Sequence, residues 1–279
     1  MTSIAQALLQ AAEQLRAGDT PQLDAEVLLV HILGKPRSYL HAWPEAQLDT
    51  RQLTAFKTLV DQRATGQPVA HLTGKREFWS LDLDVSEHTL IPRADTELLV
   101  EQALEKLSAD QPLHILDAGT GSGAIALALA NERPHWTVFA SDRSLPCLTV
   151  ARNNATRLKL DNVHFFAGDW CKAIARHSLD ALISNPPYIA ERDSHLGEGD
   201  VRFEPRSALT SGTDGLDDLR RLADEASRTL RPGAYLLLEH GFEQAREVRK
   251  ILNINRFKDT GSARDLAGHE RVSYARKPA

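Results

Sequence analysis

Residues 114–126 have the sequence His-Ile-Leu-Asp-Ala-Gly-Thr-Gly-Ser-Gly-Ala-Ile-Ala, and this stretch decides the fold. It joins a short apolar run, a turn with glycines at 119, 121 and 123, and the start of an apolar helix. Glycine lets a chain turn tightly and lets a ligand approach the backbone without meeting a Cβ atom. The stretch therefore predicts a buried strand, a glycine-rich turn that faces a ligand, and a helix.

Short apolar runs alternate with helical patterns from residue 113 onward. The strand candidates are Leu113–Leu116, Trp136–Ala140, Val163–Phe166, Leu179–Ser184 and Tyr235–Glu239, and the helical patterns cover 123–132, 146–157, 216–230 and 243–253. Such alternation predicts βαβ units and a parallel sheet covered on both faces. The stretch Arg271–Ala275 can add one or two final strands to this α/β fold.

The chain is also long enough for a second domain, because 279 residues exceed the usual single-domain size of roughly 100–200. Residues 1–74 show helical periodicity without a strand signal and predict a small helical bundle. Residues 75–92 alternate apolar and polar side chains, as a β-hairpin linker would. The catalytic domain is expected at 93–279, with Asp95 or Thr96 capping its first helix.

Composition restricts the class of protein. The formal net charge is −5, which disfavours a nucleic-acid partner because such proteins usually present a basic face. No apolar run reaches the ~18 residues needed to span a bilayer, and the N-terminus lacks signal-peptide features. The two cysteines and eleven histidines show no metal-binding spacing. We expect a cytoplasmic monomer without a resident metal.

Two ligand classes compete for the glycine-rich turn. Gly119, Gly121 and Ala124 match the G-x-G-x-x-G/A form of a dinucleotide site, whose helix N-terminus faces a pyrophosphate. Asp117 stands directly before the turn, where it would repel a phosphate and attract a cation. S-adenosylmethionine has no phosphate and carries an ammonium and a sulfonium, so it suits Asp117 better. A tight strand–helix connection without a ligand is the third alternative.

Two further loops follow strand candidates at carboxyl ends, which line the ligand crevice of an open α/β sheet. Asp142 follows Trp136–Ala140, and its carboxylate can accept two hydrogen bonds from a ribose diol. Asp169 and Trp170 follow the third strand candidate. The Trp170 ring can form a wall for adenine, and Asp169 can accept from the exocyclic amine. The alternative is a plain turn with a packed tryptophan.

The segment Asn185-Pro186-Pro187-Tyr188 leaves the fourth strand candidate. Two prolines fix φ near −65° and remove two N–H donors, so the carbonyls here are free of a regular ladder. The Asn185 side-chain oxygen and the Pro186 carbonyl can accept both hydrogens of a planar NH₂ group, and Tyr188 offers a flat face for stacking. Such a clamp would aim an amide or amine nitrogen at a methyl group. The alternative is a rigid loop exit.

Together, the glycine-rich turn and the Asn-Pro-Pro-Tyr loop resemble class I methyltransferases that act on planar nitrogens. Further stretches narrow the resemblance to the HemK/PrmC family, the peptide chain release factor glutamine N5-methyltransferases. These stretches are Gly66–Gly74, Arg76–Trp79, Leu90–Glu97, Asp200–Pro205 and Leu237–Gly241. One departure is Arg256, where the family often has a glycine before an aromatic residue.

The resemblance implies a Rossmann-like, mostly parallel seven-stranded sheet, with an N-terminal helical domain at 1–74, a hairpin linker at 75–92 and a methyltransferase domain at 93–279. It implies S-adenosyl-L-methionine as cofactor, S-adenosyl-L-homocysteine as product, and the glutamine of the Gly-Gly-Gln loop of class 1 release factors as acceptor. The implied cofactor residues are Gly119, Thr120, Gly121, Ser122, Gly123, Asp142, Trp170 and Asn185, and the interpretation of the loops above adds Asp117 and Asp169. The implied substrate residues are Asn185, Pro186, Pro187 and Tyr188, with Arg93 and Glu97 near the site; Asn185, Pro186 and Tyr188 are the expected catalytic residues.

Three other functions fit part of the sequence pattern. A sister enzyme that methylates a glutamine of a large-subunit ribosomal protein shares both loops, although the stretch 92–97 favours the release-factor type. A DNA adenine methyltransferase also acts on a planar nitrogen, but it needs a target-recognition region and basic segments that the sequence lacks. A protein that only holds the cofactor would leave Asn185 and Tyr188 without purpose.

Overall fold

A computed structural model describes residues 2–279 as two compact units. The first unit comprises the chain up to Lys75 together with Gly197–Phe203, and the second comprises Arg76–Leu196 and Glu204–Ala279. Among residues 2–279, every helix is too short or too polar to cross a lipid bilayer.

The first unit is a bundle of helices with one small strand pair. Its elements are β1 (Thr2–Ser3), α1 (Ile4–Gln14), α2 (Pro21–Leu33), α3 (Arg37–Ala42), β2 (Gln47–Leu48), α4 (Thr50–Ala64) and α5 (Val69–Thr73). Ser3 and Asp49 start α1 and α4 with reciprocal capping bonds, and Gly34 ends α2 in the left-handed conformation. The expectation that this region holds no strand was wrong, because β1 pairs with β2. Strands of two residues are too short to produce a periodic signal.

The second unit contains the linker hairpin and an α/β domain. Its elements are β3 (Lys75–Phe78), β4 (Leu81–Asp84), α6 (Glu97–Lys106), β5 (His114–Ala118), α7 (Ala124–Glu132), β6 (Thr137–Asp142), α8 (Leu145–Leu158), β7 (Val163–Ala167), β8 (Leu179–Ser184), α9 (Asp217–Thr229), β9 (Leu230–Glu239), α10 (Ala245–Ile254), β10 (Lys258–Arg264) and β11 (Glu270–Arg276). Short 3₁₀ turns occur at Ala94–Thr96, Ser194–Gly197 and Arg206–Ala208, and a further one at Gly199–Phe203 belongs to the first unit.

Seven strands form one sheet in the order β10-β11-β9-β8-β5-β6-β7. The strands from β9 to β7 are parallel to one another, and β11 and β10 are antiparallel additions. The predicted α/β fold with a mostly parallel seven-stranded sheet is confirmed. The chain moves outward in one direction from β5 to β6 and β7, and in the other from β8 to β9. The carboxyl ends of β5 and β8 therefore flank the point where strand order reverses, the usual place for a ligand crevice.

Several element boundaries extend beyond the apolar runs that predicted them. Strands β5 and β6 continue to Ala118 and Asp142, and β9 begins at Leu230, where it pairs with Leu179. The expected cap of α6 is absent, since neither Asp95 nor Thr96 caps it by a side-chain hydrogen bond. Both side chains have partners elsewhere in the second unit.

Arg256 follows α10 with φ of +65°, a conformation that favours glycine. This geometry explains why a glycine is expected at this position before Phe257, which is buried. The departure affects the connection to β10 at the sheet edge, away from the carboxyl ends of β5 and β8.

Candidate active site

Backbone N–H groups of the glycine-rich turn between β5 and α7 already donate hydrogen bonds to other parts of the protein. The N–H groups of Gly119 and Thr120 both donate to the Ser141 carbonyl, each at 2.8 Å, and the Gly121 N–H donates to Asp142 Oδ2 at 3.0 Å. Gly119, Gly121 and Gly123 have positive φ, which side chains rarely tolerate. These three N–H groups are therefore not free to bind a pyrophosphate, which supports a ligand without phosphate.

Asp117 lies completely buried beneath this turn. Its Oδ2 accepts from the Thr120 hydroxyl at 2.6 Å and from the Ala126 N–H at 3.2 Å. Its Oδ1 is shielded from solvent and has no hydrogen-bond partner among residues 2–279. Burial, with a smaller contribution from the nearby Asp142, raises the pKa of this carboxyl to about 7, although the hydrogen bonds from Thr120 and Ala126 oppose the shift. A cationic ligand group would satisfy the free oxygen, so the residues fit a ligand with an ammonium.

Asp142 ends β6 beside the same turn. Its Oδ1 accepts from the Ser144 N–H at 2.8 Å, and its Oδ2 accepts the Gly121 N–H. These backbone bonds fix the carboxylate while leaving a second lone-pair position on each oxygen, since a carboxylate offers about four acceptor positions. The arrangement suits a diol such as that of a ribose.

Trp170 packs against the glycine-rich turn. A Cβ atom added to Gly119 would lie only 3.0 Å from the Trp170 ring, so this glycine permits the contact. The indole N–H donates to Asp218 Oδ1 at 3.1 Å, which holds the ring from α9. The Trp170 ring therefore lies against the glycine-rich turn, and its role as a wall for adenine stays a prediction.

The Asp169 carboxylate forms ion pairs with two basic side chains of the protein. Its Oδ2 pairs with Arg221 at 2.7 Å and with Lys172 at 2.5 Å. The hydrogen bonds from Arg221 and Lys172 lower the pKa of Asp169 to about 2. The carboxylate is held ionised by these contacts, and its bond to an adenine amine stays a prediction.

The Asn-Pro-Pro-Tyr loop begins directly after β8. Asn185 Nδ2 donates to the Thr96 hydroxyl at 3.1 Å, and Tyr188 donates its hydroxyl hydrogen to Glu239 Oε1 at 3.3 Å. The Tyr188 carbonyl accepts from Gln244 Nε2 at 2.9 Å, which anchors the end of the loop. Within residues 2–279, no hydrogen bond reaches Asn185 Oδ1 or the Pro186 carbonyl. Both oxygens are therefore available to a donor from outside the chain.

Glu239 ends β9 and is buried beneath the loop. Burial raises its pKa to about 7, and the neighbouring hydroxyl groups of Thr96 and Tyr188 partly oppose that effect. Burial and the neighbouring carboxylate of Glu239 also raise the pKa of Tyr188 well above its usual range, so Tyr188 keeps its hydroxyl hydrogen.

Arg93 and Glu97 have partners within the second unit. Arg93 forms an ion pair with Glu204, whose other oxygen accepts from the Ile91 N–H at 3.2 Å. Glu97 Oε1 accepts from the Trp79 N–H at 2.9 Å in the turn of the linker hairpin, where Trp79 has positive φ. The contact of either residue with a substrate stays a prediction.

The two central loops are joined at their roots. The Ser184 hydroxyl donates to the Ala118 carbonyl at 2.6 Å, and both residues are fully buried. The residue before Asn185 therefore contacts the residue before Gly119. This contact brings the predicted cofactor turn and the predicted acceptor loop to one edge of the sheet.

Sequence reasoning missed Thr96, Asp218 and Glu239 as members of the site. Glu239 had a signal, because it is an acidic residue at the end of the apolar run Tyr235–Leu238, as Asp142 is after its own strand. Thr96 and Asp218 had none, since their contacts join segments that are far apart in the sequence.

Comparison with known proteins finds two family models in the chain. The model described as the PrmC N-terminal domain matches residues 6–74, and the model described as the methyltransferase small domain matches residues 94–200. The chain is 46% identical over 269 residues to the release factor glutamine methyltransferase of Escherichia coli, with 96% of this chain and 97% of that protein covered. It is 43% identical over 278 residues to the protein of the same name from Coxiella burnetii, with 99% and 100% covered.

The fold also resembles a solved structure. A crystal structure of a methyltransferase from Pyrococcus furiosus superposes with a TM-score of 0.52 at 19% sequence identity, covering 71% of this chain and 90% of that chain. At such identity the likeness shows the shared fold alone. The two curated relatives, in contrast, match from end to end at high identity and confirm the resemblance that the two loop motifs indicated. The chain therefore belongs to the release factor glutamine methyltransferase family.

Proposed function

We propose that the protein transfers a methyl group from S-adenosyl-L-methionine to the side-chain nitrogen N5 of the glutamine in the Gly-Gly-Gln motif of class 1 release factors. This proposal rests mainly on the hydrogen bonding of Asn185. Asn185 donates through Nδ2 to Thr96, which leaves Asn185 Oδ1 free to accept, and the residue before Asn185, Ser184, bonds to Ala118 directly before the glycine-rich turn. A planar NH₂ group is the donor that such an acceptor suits.

Different residues of the site would bind different parts of the cofactor. Asp117 Oδ1 would accept from the methionine ammonium, and Asp142 would accept from the ribose diol. Trp170 would stack against the adenine, and the backbone of Gly119, Thr120, Gly121, Ser122 and Gly123 would lie beneath the ligand. When bound, S-adenosyl-L-methionine supplies an electrophilic methyl carbon on a sulfonium and leaves as S-adenosyl-L-homocysteine.

The acceptor loop prepares the glutamine nitrogen. An amide nitrogen is a weak nucleophile because its lone pair is delocalised, as the amide rotation barrier of ~18–20 kcal/mol indicates. Asn185 Oδ1 and the Pro186 carbonyl would bind the two amide hydrogens and aim the nitrogen. Pro187 stiffens the loop, and Tyr188 would stack on the amide plane. The methylated nitrogen is strongly acidic and can release its extra proton to water without a dedicated base.

The parts of the chain are assigned accordingly. We assign release-factor recognition to residues 1–74, the linker to 75–92 and the chemistry to 93–279, with Arg93 and Glu97 beside the substrate. We place the reaction in the cytoplasm and expect a monomer that does not bind nucleic acid directly. The two free, buried cysteines support the cytoplasmic location, because that compartment keeps thiols reduced. The net charge of −5 supports the absence of direct nucleic-acid binding.

A labelling experiment tests the proposed function. The protein would be incubated with isotopically labelled methyl donor and, in separate reactions, a class 1 release factor, total large-subunit ribosomal proteins, and DNA rich in adenine. The methyl group would then be located by mass spectrometry. Label on the Gly-Gly-Gln glutamine supports the proposal. Label only on a ribosomal-protein glutamine or only on adenine would refute it.

A further inference from the structure

One polar face of α9 binds the loop 169–174 that follows β7. The four residues of this face are three or four positions apart, which places them on one side of the helix: Asp218, Arg221, Glu225 and Arg228. Arg221 pairs with Asp169 at 2.7 Å, and Glu225 Oε2 accepts from the Cys171 N–H at 2.7 Å. Arg228 donates to the carbonyls of Cys171 and Ile174, each at 2.9 Å. Helix α9 therefore holds the residues on both sides of Trp170.

Asp218 binds two separate parts of the chain through its two carboxylate oxygens. Its Oδ1 accepts from the Trp170 indole N–H at 3.1 Å, and its Oδ2 accepts from the Ser211 hydroxyl at 2.8 Å. Ser211 Oγ in turn accepts from the Asp218 N–H at 2.7 Å, which closes a reciprocal pair. An indole N–H can only donate, so it requires an acceptor oxygen at this position.

Ser211 is paired with the backbone that leaves the acceptor loop, Asn185–Tyr188. The Ser211 N–H donates to the carbonyl of Ile189, the residue that directly follows this loop, at 3.0 Å. Ser211 is only 3% exposed, so water does not compete freely for its bonds. Asp218 is therefore bonded to Trp170 directly and to the exit of the acceptor loop through Ser211.

The Trp170 side chain depends on contacts of this kind. Trp170 has φ of +52°, a conformation that costs free energy for a residue with a bulky side chain and persists where the surroundings fix it. Its ring lies against Gly119, where an added Cβ atom would be only 3.0 Å away. Without a partner for the indole N–H, the ring could rotate about its side-chain torsions and leave the glycine-rich turn. The bond to Asp218 selects the orientation in which ring and turn are in contact.

We propose that Asp218 is a positioning residue for both halves of the site: it holds the Trp170 ring against the glycine-rich turn, and through Ser211 it holds the exit of the acceptor loop. This inference rests on the proposed function, in which Trp170 is a wall for adenine and Asn185–Tyr188 binds the glutamine. Loss of the Asp218 carboxylate should weaken cofactor binding and lower turnover together. Loss of the Ser211 hydroxyl should lower turnover with little change in cofactor affinity.

The first test measures the Kd of S-adenosyl-L-methionine by calorimetry. We expect Asp218→Ala to raise this Kd by roughly fivefold or more, as for the loss of one net hydrogen bond. Asp218→Asn should stay close to the wild type, because its oxygen can accept from Trp170 while its NH₂ group donates to Ser211 Oγ. Asp217→Ala is the matched control, since it also removes a carboxylate from the first turn of α9, where Asp217 pairs with Arg220. A wild-type Kd in Asp218→Ala, or an equal loss in the control, would overturn the inference.

The second test separates turnover from cofactor affinity. Ser211→Ala keeps the bond between Asp218 and the indole but frees the exit of the acceptor loop, so kcat should fall by roughly tenfold while Kd stays near the wild-type value. Thr210→Val is the control, because the neighbouring hydroxyl bonds the Arg206 carbonyl and not Asp218. Unchanged kcat in Ser211→Ala, or an equal fall in Thr210→Val, would contradict the link to the acceptor loop.

The indole N–H signal of Trp170 reports the bond to Asp218 without substrate or cofactor. The chain has four tryptophans, so the signal is assigned in a ¹⁵N NMR spectrum by its loss in Trp170→Ala. It should shift in Asp218→Ala and stay near its wild-type position in Ser211→Ala and Asp217→Ala. An unchanged signal in Asp218→Ala would overturn the positioning role.

The variant Trp170→Ala also distinguishes failure of this inference from failure of the proposed function. A wild-type Kd in Trp170→Ala would overturn the adenine assignment and this inference with it. A raised Kd in Trp170→Ala beside a wild-type Kd in Asp218→Ala would overturn this inference alone. Absence of label on the release-factor glutamine would refute the proposed reaction, while the Kd values and the indole signal would still decide the role of Asp218 at the cofactor.

Discussion

The Ser184 hydroxyl donates to the Ala118 carbonyl at 2.6 Å across the neighbouring ends of β8 and β5. Both residues are fully buried, and each stands directly before one of the two loops that form the candidate active site. The bond therefore sets the spacing between the glycine-rich turn and the Asn-Pro-Pro-Tyr loop. Methyl transfer depends on such spacing, since misplacement by about 1 Å can cost on the order of 10²-fold in rate.

Replacement of Ser184 by alanine should affect both stability and turnover. The variant leaves a buried carbonyl without its partner, which costs about 1–3 kcal/mol of unfolding free energy. We expect kcat to fall as well, because the two loops lose their direct tie. Urea unfolding and steady-state kinetics check this. Ser178→Ala is the control, since its hydroxyl bonds the Ala175 carbonyl at an exposed position where water can replace it. Equal effects of the two substitutions would contradict the role of Ser184.

Substitution of Asn185 by alanine should mainly affect the chemical step. It removes a preorganised acceptor for the glutamine amide, so kcat should fall by roughly 10²–10³. Cofactor affinity should fall less, because Asp117, Asp142 and Trp170 remain in place. Steady-state kinetics with a release factor, together with calorimetric titration of the methyl donor, separate the two effects. Near-normal kcat would disprove the clamp.

The two acidic residues predicted to contact the nucleoside should differ in effect. Asp142 is fixed against the glycine-rich turn, whereas Asp169 is paired with Arg221 and Lys172. We expect Asp142→Ala to weaken binding of the methyl donor by roughly tenfold or more, as for the loss of about two hydrogen bonds. Asp169→Ala should have a smaller effect on the measured Kd. If Asp169→Ala is the more damaging change, the assignment of the ribose contact to Asp142 is wrong.

Binding of the methyl donor should depend on pH through Asp117. The pKa of Asp117 is about 7 in the free protein, and a bound ammonium favours the ionised carboxylate. Affinity should therefore increase by roughly tenfold from about pH 5.5 to about pH 7, below the range where the α-amino group of the ligand titrates. Calorimetry at several pH values measures this. Asp117→Asn cannot titrate and should flatten the dependence; an unchanged slope in that variant would reject the role of Asp117.

The stability of the protein should also depend on pH through Glu239. Its pKa is about 7 when folded and near 4.5 when unfolded, so the folded state holds a proton that the unfolded state has lost between these values. The contribution of Glu239 to the unfolding free energy therefore decreases as pH rises through this window, by on the order of 3 kcal/mol. Urea unfolding of Glu239→Gln should show a smaller decrease than the wild type. Parallel curves for the two proteins would contradict the buried, protonated carboxyl.

Most of the fold could be predicted because its signals are local. The parallel strands were located from apolar runs, and the turn at Gly119–Gly123 was identified from its glycines. The missed pair of β1 and β2 consists of strands of only two residues. The expected cap of α6 is absent because another group binds the Thr96 side chain. Thr96 could cap the helix, but its hydroxyl instead accepts from Asn185. A local preference does not show which distant partner will compete for the same group.

The sequence by itself determined the sheet strands, the glycine-rich turn and the identity of the loop Asn185–Tyr188, because each depends on residues that are neighbours along the chain. Only the tertiary structure decided how these parts are held. It joined Ser184 to Ala118, engaged Asp169 with Arg221, and placed Glu239 beneath Tyr188. The physical reason is that the direction of a hydrogen bond and the pKa of a buried carboxyl depend on which groups folding brings together. The spacing of residues along the sequence does not show which distant groups will meet.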